Sequence, residues 1–353
     1  MITPNVLPLS LGLVIFSFLI TSVLVVPFID LLYKLKLTRR KEAPKRGKVP
    51  LFDKLHDIKA GTPIGGGILL VSVVTILFAV LFPIVRYLGV YIQSSFNLNI
   101  ELFIIFFTFI SFGFLGLSDD LVKIFGKGRT GIRPLGIAYG LTRKQKFGLQ
   151  WVLALFISWV IYRYLGVQIL HIPLLNKVIN LGFWYIPFSA TVIVAFTNAF
   201  NFTDGLDGLA SGLLLICLAA FGVIAAGRLD TPISIFISLW MGAVIAFLYF
   251  NVYPARIFLG DAGALSFGAM LAVIGLLTGS LIGLIVIGGV FVVEAASSAI
   301  QIVGWKVLHR PILPLAPIHH ALLAIGWEEP KIVMRAWIAG AILAIFGLWL
   351  ATI

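Results

Sequence analysis

The sequence predicts an all-α polytopic membrane protein of about ten transmembrane helices, and three observations carry that prediction. Of its 353 residues, 60% are apolar and only 11% are charged, against roughly 45–50% and about 25% in a soluble domain. The mean hydropathy is +1.10, so there is too little polar surface to coat a water-soluble fold. The same figures exclude a disordered chain, a disulfide scaffold and a fibrous repeat. At about 20 residues per span, the length suits ten or so helices with modest loops, read as one integral membrane domain over residues 1–353.

Charge-free runs place the spans at 8–30, 64–85, 102–118, 148–167, 181–199, 209–227, 233–252, 263–278, 281–303 and 336–353. No basic stretch precedes the first, which therefore reads as a retained span and not as a cleaved leader. The third ends on Asp119 and Asp120. The single cysteine, Cys217, lies in the sixth, so no internal disulfide can form. The eighth and ninth share one apolar run, divided at Thr278-Gly279-Ser280. Ten spans put both termini on one side.

Lys and Arg outnumber Asp and Glu by 26 to 14, a net charge of +12. Ten of the basic residues fall in 34–59 and seven in 123–146. Arg256, Lys306, Arg310, Lys331 and Arg335 bring the same side to 22 of 26. The other side holds only Arg86, Arg163, Lys177 and Arg228. Short loops this biased orient the chain with the basic side in the cytoplasm and both termini outside. The charge is thus topology, and no nucleic-acid partner is expected.

Several acidic residues collect on the same side. Asp119 and Asp120 end the third span, Asp204 and Asp207 follow the fifth, and Asp261 follows the seventh; Glu294 lies inside the ninth. Ionisable groups at a bilayer are costly and point to function. In NAFNFTDGLD (198–207), Asn198, Asn201, Asp204 and Asp207 recur every third residue, one polar stripe if the stretch is helical. Such amides and carboxylates suit a nucleotide's hydroxyls, a base edge or a hydrated metal. Asp261, between glycines, is either an N-cap or a functional carboxylate. Phe258 is either a membrane-interface anchor or a stacking platform for a flat ring. His319 and His320, without a third ligand at zinc spacing, read as donors to an anionic group beside Arg310. The glycine-rich GTPIGGG (61–67) could approach a phosphate through backbone N–H groups, although it is no Walker A. Mg²⁺ binds through one or two carboxylates plus substrate phosphates. A Mg²⁺-bridged diphosphate at the membrane surface, with a lipid phosphate arriving laterally, uses all these parts.

The stretches KAGTPIGGG (59–67), GLSDDLVK (116–123), NAFNFTDGLDGLASG (198–212), FLGDAGALSFG (258–268), FVVEAASSAIQ (291–301) and APIHHALLAIGWEE (316–329) are those of a known family, in its order. In them the chain resembles the phospho-N-acetylmuramoyl-pentapeptide transferases, within the polyprenyl-phosphate N-acetylhexosamine-1-phosphate transferases. The resemblance implies ten helices with both termini outside the cytoplasm, in the bacterial plasma membrane. It implies transfer of phospho-MurNAc-pentapeptide from the UDP-sugar to undecaprenyl phosphate, giving lipid I and UMP, with Mg²⁺ required. By position it makes Asp119 the catalytic carboxylate, with Asp120 beside it, and Asp261 a catalytic metal ligand. Asn201, Asp204, Asp207 and Phe258 match residues around the uridine, where Phe258 would stack on uracil. Lys59, Lys123, Asn251, Gln301, His319 and His320 match further substrate-binding positions. It also points to a homodimer. The family's third consecutive histidine is here Ala321, its Thr-Met before the glycine pair is Ile64 alone, and its Met-Gly-Asp is Leu259-Gly260-Asp261. The glycine-rich loop 124–145 is longer than the pattern leads one to expect. A sibling using UDP-N-acetylglucosamine is the nearest alternative. A secondary transporter would need internal repeats and midplane polar groups, and a non-catalytic lipid-binding scaffold would not need the full Asp set.

Overall fold

The computed structural model describes residues 6–39, 59–125, 142–175 and 177–353. Within them the chain forms α1 (Val6–Lys34), α2 (Gly66–Tyr87), α3 (Leu98–Phe125), α4 (Arg143–Leu165) and a hairpin, β1 (Ile169–Ile172) with β2 (Lys177–Asn180). Then follow α5 (Tyr185–Thr203), α6 (Leu209–Gly227), α7 (Thr231–Asn251), α8 (Gly260–Leu277), α9 (Leu281–Ile287), α10 (Gly289–Val303), α11 (Ile318–Ala324) and α12 (Glu329–Thr352). Ten of these helices, all but α9 and α11, are long and apolar enough to cross a membrane, so the chain is a multi-pass all-α membrane protein. Helices suit that setting because they satisfy every backbone polar group internally. The antiparallel hairpin, with Ile169 opposite Asn180, is the one sheet among the described residues.

The bundle is built around α8, whose residues Ala262 through Leu277 are all buried. It packs against α3, α5 and α2, while α7 is flanked by α1, α6 and α2, and α12 by α6 and α9. Trp240 of α7 anchors the centre, with its ring 5.0 Å from Phe267 and 5.4 Å from Phe109. Small residues allow backbones to meet without side chains between them, as in other membrane bundles. A Cβ on Gly67 would strike the backbone N of Gly263, and one on Gly116 would strike the carbonyl of Asp261. These contacts draw α2 and α3 onto the first turn of α8.

The expected spans stand with three changes. The turn at Thr278-Gly279-Ser280 is present, with Gly279 at φ +59. The run 281–303, however, is two helices, broken at Gly288. A Cβ there would lie 2.7 Å from Phe196, so the glycine admits a ring of α5 and the helix kinks. The third helix does not stop at 118 but carries Asp119 and Asp120 inside it, because both carboxylates find partners there. The last begins at Glu329, with Pro330 in its first turn, where a missing N–H costs nothing.

Candidate active site

The expected acidic residues meet at one end of the bundle, on the closing turns of α3, α5 and α7 and the opening turns of α4, α6 and α8. Asp119 is buried, inside α3 and about two turns before its last residue. Lys146, in the first turn of α4, donates through Nζ to Asp119 Oδ2 at 2.9 Å and also to Asp261 Oδ2. A capping box sets that first turn: Thr142 Oγ1 accepts from the Gln145 N–H, and Gln145 Oε1 accepts from the Thr142 N–H. One ammonium thus lies between carboxylates from α3 and α8. Asn201 of α5 completes the group, donating Nδ2 to Asp261 Oδ1 at 3.1 Å.

Asp120 has a different environment from its neighbour. Its Oδ1 accepts from the backbone N–H of Asp261 at 3.1 Å and its Oδ2 from that of Ala262 at 3.0 Å. A carboxylate on α3 therefore satisfies the open amides of α8, the part an N-cap plays within one helix. The expectation that Asp261 might itself be the N-cap is corrected: Leu259 holds that place, and Asp261 follows inside the helix, leaving its side chain for Lys146 and Asn201.

The polar stripe of 198–207 is also corrected. Asn198 and Asn201 lie on α5, but the helix closes at Thr203, with Asp204 at its C-cap. Gly208, at φ +77, turns the chain by a conformation that favours glycine. Asp204 keeps part of its surface open. Loss of water contact is still the largest cause that pushes its carboxyl up to about 7, followed by the negative charges of Asp261 and Asp120; Arg39 and Lys59 pull the other way. Asp207, within the turn, is buried and bound to Lys59 Nζ, and its Oδ2 accepts from the Ala255 N–H at 2.9 Å. Lys59 also binds Glu329 Oε1, which accepts from the Asp207 N–H at 2.6 Å.

Phe258 sits between two backbone contacts. Its N–H donates to the Pro63 carbonyl, and its carbonyl accepts from Gly65 and Gly66. The half-buried ring has the Arg39 guanidinium 5.8 Å and Lys59 Nζ 6.0 Å from its centre, at the range of a cation–π contact. The glycine-rich stretch does not offer its amides to a phosphate: Gly65, Gly66 and Gly67 donate to the carbonyls of Phe258 and Leu259, and Ile64 to that of Leu37.

The remaining expected residues brace the surrounding loops. Buried Asn251 donates to the Ile257 carbonyl at 2.9 Å and accepts from Ser211 Oγ, holding the turn before Phe258. Gln301 accepts from the Ile312 and Leu313 N–H groups and donates to the Leu313 carbonyl, which ties α10 to the segment before α11. His319 and His320 are buried. His319 Nδ1 lies 2.9 Å from Glu294 Oε2, and its Nε2, turned toward Gly205, has no hydrogen-bond partner among the described residues. Lys123 is on α3, but its side chain lies outside the described residues, as does loop segment 126–141.

Reading the sequence missed Lys146, Glu329 and Arg39 as members of the cluster. Among the described residues no three His, Cys, Asp or Glu groups are set to hold a metal. Two carboxylates directed at one cation, here the Lys146 ammonium, have the hard-oxygen chemistry of the one or two protein ligands that Mg²⁺ takes beside substrate phosphates and water. The donor chemistry fits that ion.

A model described as glycosyl transferase family 4 matches residues 102–279, which include Asp119, Asp204 and Asp261. The chain is 36% identical to the phospho-N-acetylmuramoyl-pentapeptide-transferase of Geobacillus sp. (strain WCH70) over 342 residues, 96% of each chain. It is 36% identical to the protein of that name from Clostridium perfringens (strain 13 / Type A), over 91% of this chain and 92% of the relative. With that from Bacillus pumilus (strain SAFR-032), identity is 34% over 96% of each.

Proposed function

This chain belongs to the phospho-N-acetylmuramoyl-pentapeptide transferase family, and on that premise we propose how its residues serve the reaction. It is a glycosyl-1-phosphate transferase of peptidoglycan synthesis that moves phospho-MurNAc-pentapeptide from UDP-MurNAc-pentapeptide to undecaprenyl phosphate, giving lipid I and UMP. An oxygen of the lipid phosphate attacks the sugar-linked phosphorus. The bond from that phosphorus to the bridging oxygen breaks, and UMP leaves with the electron pair. Such transfers need mostly positioning and charge stabilisation.

The observation that carries this reading is the pair Asp119 and Asp261, brought from two helices onto one cation. Asp261, with Asp119 opposite, would hold Mg²⁺. When bound, that ion neutralises the diphosphate and makes UMP a better leaving group. Asp119 takes the proton that the lipid phosphate still carries. A phosphate's second pKa is near 6, so much of the acceptor arrives without that proton and the base contributes modestly. Asp120 positions Asp261 through the backbone of α8. Phe258 stacks on uracil, and Asn201, Asp204 and Asp207 line the uridine. Lys59, Lys123, Asn251, Gln301, His319 and His320 bind or shape the rest of the substrate. The chain works as one membrane domain, in the bacterial plasma membrane and as a homodimer by resemblance, and with the carboxylate end toward the cytoplasm by its basic-residue asymmetry.

The test is UMP release by purified protein given polyprenyl phosphate with UDP-MurNAc-pentapeptide or UDP-N-acetylglucosamine, with Mg²⁺ supplied or chelated. Release from the muramoyl substrate alone, and only with the metal, is the expected result. Turnover of UDP-N-acetylglucosamine instead would move the chain to the sibling chemistry.

A further inference from the structure

One polar side chain near the site has no part in the roles above. Gln150 of α4 is 1% exposed, inside a helix long and apolar enough to cross the membrane. Its Oε1 accepts from Asn198 Nδ2 of α5 at 2.7 Å, and the same Nδ2 donates to the Val194 carbonyl at 2.7 Å. The Gln150 Nε2 has no hydrogen-bond partner among the described residues.

The register of the two helices connects this pair to the carboxylates. Gln150 follows Lys146 by four residues on α4, and Asn198 precedes Asn201 by three on α5, so each pair shares a helix face. Lys146 and Asn201 both reach Asp261. The helices α4 and α5 are therefore joined through Asp261 and again, about one turn deeper in the bundle, by Gln150 and Asn198 directly. The second joint matters because the start of α4 has little else to seat it. From Lys144 to Leu149 no residue is buried, and Phe147 and Leu149 are exposed. The next buried residue after Gln150 is Ala154. Apart from the ion pairs of Lys146 itself, the turns that carry it are held to the bundle by one buried side chain, and that side chain is polar.

We infer that Gln150 is a positioning residue: its bond to Asn198 seats the first turns of α4 on α5, so that the Lys146 ammonium stands between Asp119 and Asp261. This rests on the transferase reading. Packing alone does not account for the glutamine. A buried amide with an unpaired donor costs free energy, and methionine, of similar length and adaptable shape, would fill the space without that cost. What the glutamine supplies and methionine lacks is an acceptor oxygen for α5.

Gln150→Met removes that oxygen at nearly constant volume. The variant should melt no lower than the parent protein. Its kcat for UMP release should fall about ten-fold, while KM for the UDP-substrate and for polyprenyl phosphate stays within about two-fold. Added to Lys146→Met, the change should cost nothing further, because both act through one ammonium. An unchanged kcat, or a loss that multiplies with that of Lys146→Met, overturns the assignment. A kcat loss that comes with a lower melting temperature marks a structural role and overturns it too. Independently of turnover, deuterium exchange at the amides of residues 146–150 should rise in Gln150→Met, with α5 unchanged; equal exchange in variant and parent overturns the seating. If the parent protein releases no UMP from any acceptor, the transferase reading fails, and the exchange pattern still decides what seats α4.

Discussion

Both ends of the bundle bury carboxylates, yet they do so with different partners. At the end that holds the candidate site Asp119 and Asp261 share the Lys146 ammonium, and Asp207 and Glu329 share that of Lys59. At the far end Glu101 accepts from Ser94 Oγ, and Asp230 caps α7 by accepting from the Ile233 N–H at 3.1 Å. Around them Gln93 and Thr231 bond to each other through backbone and side chain. Burial is the largest cause that raises the Asp230 carboxyl above its usual range, and the Ile233 N–H opposes it. The far-end groups hold loops and helix ends through a hydroxyl and a backbone amide, and they also meet each other, Glu101 against Asp230. At the near end Asp119, Asp261, Asp207 and Glu329 hold lysine ammonium groups, whereas Asp120 holds backbone amides as the far-end cap does. The two buried caps, Asp120 and Asp230, hold backbone amides, whereas Asp119 and Asp261 hold a side-chain cation.

Substitutions at the two ends can break that distinction. The largest effect is expected for Asp261→Ala, which should lower UMP release by about a thousand-fold, or about 4 kcal/mol in barrier, with the protein still folded in detergent. Retention of a tenth of the activity would remove Asp261 from the centre of the mechanism. Lys146→Met should cost about a hundred-fold, some 2.7 kcal/mol. It should also lower the melting temperature by leaving two carboxylates facing each other, and millimolar Mg²⁺ should restore much of that loss. A melting temperature unmoved by the ion in this variant would contradict a shared cation position.

Removal of a cap is a smaller effect and compares the ends directly. Asp120→Ala should destabilise by about 1–2 kcal/mol, and Asp230→Ala by about 1 kcal/mol. Only the first should also reduce turnover, because only that cap positions a reacting carboxylate; equal activity loss in both would erase the contrast. The smallest effect concerns pH. The folded Asp204 carboxyl stands near 7 against 3.8 for the ordinary group, so the folded state binds the extra proton and loses stability as pH rises from about 4 to 7. The melting temperature of Asp204→Asn should therefore gain on that of the parent between pH 5 and pH 8. A constant gap would show that Asp204 ionises as an ordinary surface carboxylate.

Much of this arrangement is legible in the amino-acid sequence, because membranes impose strong patterns. Charge-free length locates the helices, and the span-boundary positions of Asp119, Asp120, Asp204, Asp207 and Asp261 gather them at one end. The partners are less legible. Asp119 and Asp120 look alike as neighbours, but successive helical side chains point about 100° apart, so one meets Lys146 and the other the amides of α8. Lys146 itself is hidden among 22 basic residues that the topology already explains. Its one local signal is the Thr142–Gln145 capping box, which places it in a first helical turn. The break at Gly288 depends on Phe196, nearly a hundred residues away in sequence. The glycine-rich stretch has the composition of a phosphate loop, yet its amides are taken by Phe258 and Leu259, and no local pattern reveals a carbonyl supplied from that distance.

The meeting of Gly116 with the carbonyl of Asp261 has a bearing on the protein's tolerance of its surroundings. Where two rods touch backbone to backbone, the interval between them is set by covalent dimensions and not by compressible packing. A thinner or thicker bilayer can tilt the pair together, but it has little purchase on the gap between them. The reaction's geometry should thus be indifferent to lipid composition, even where the ease of recruiting the acceptor from that bilayer is not.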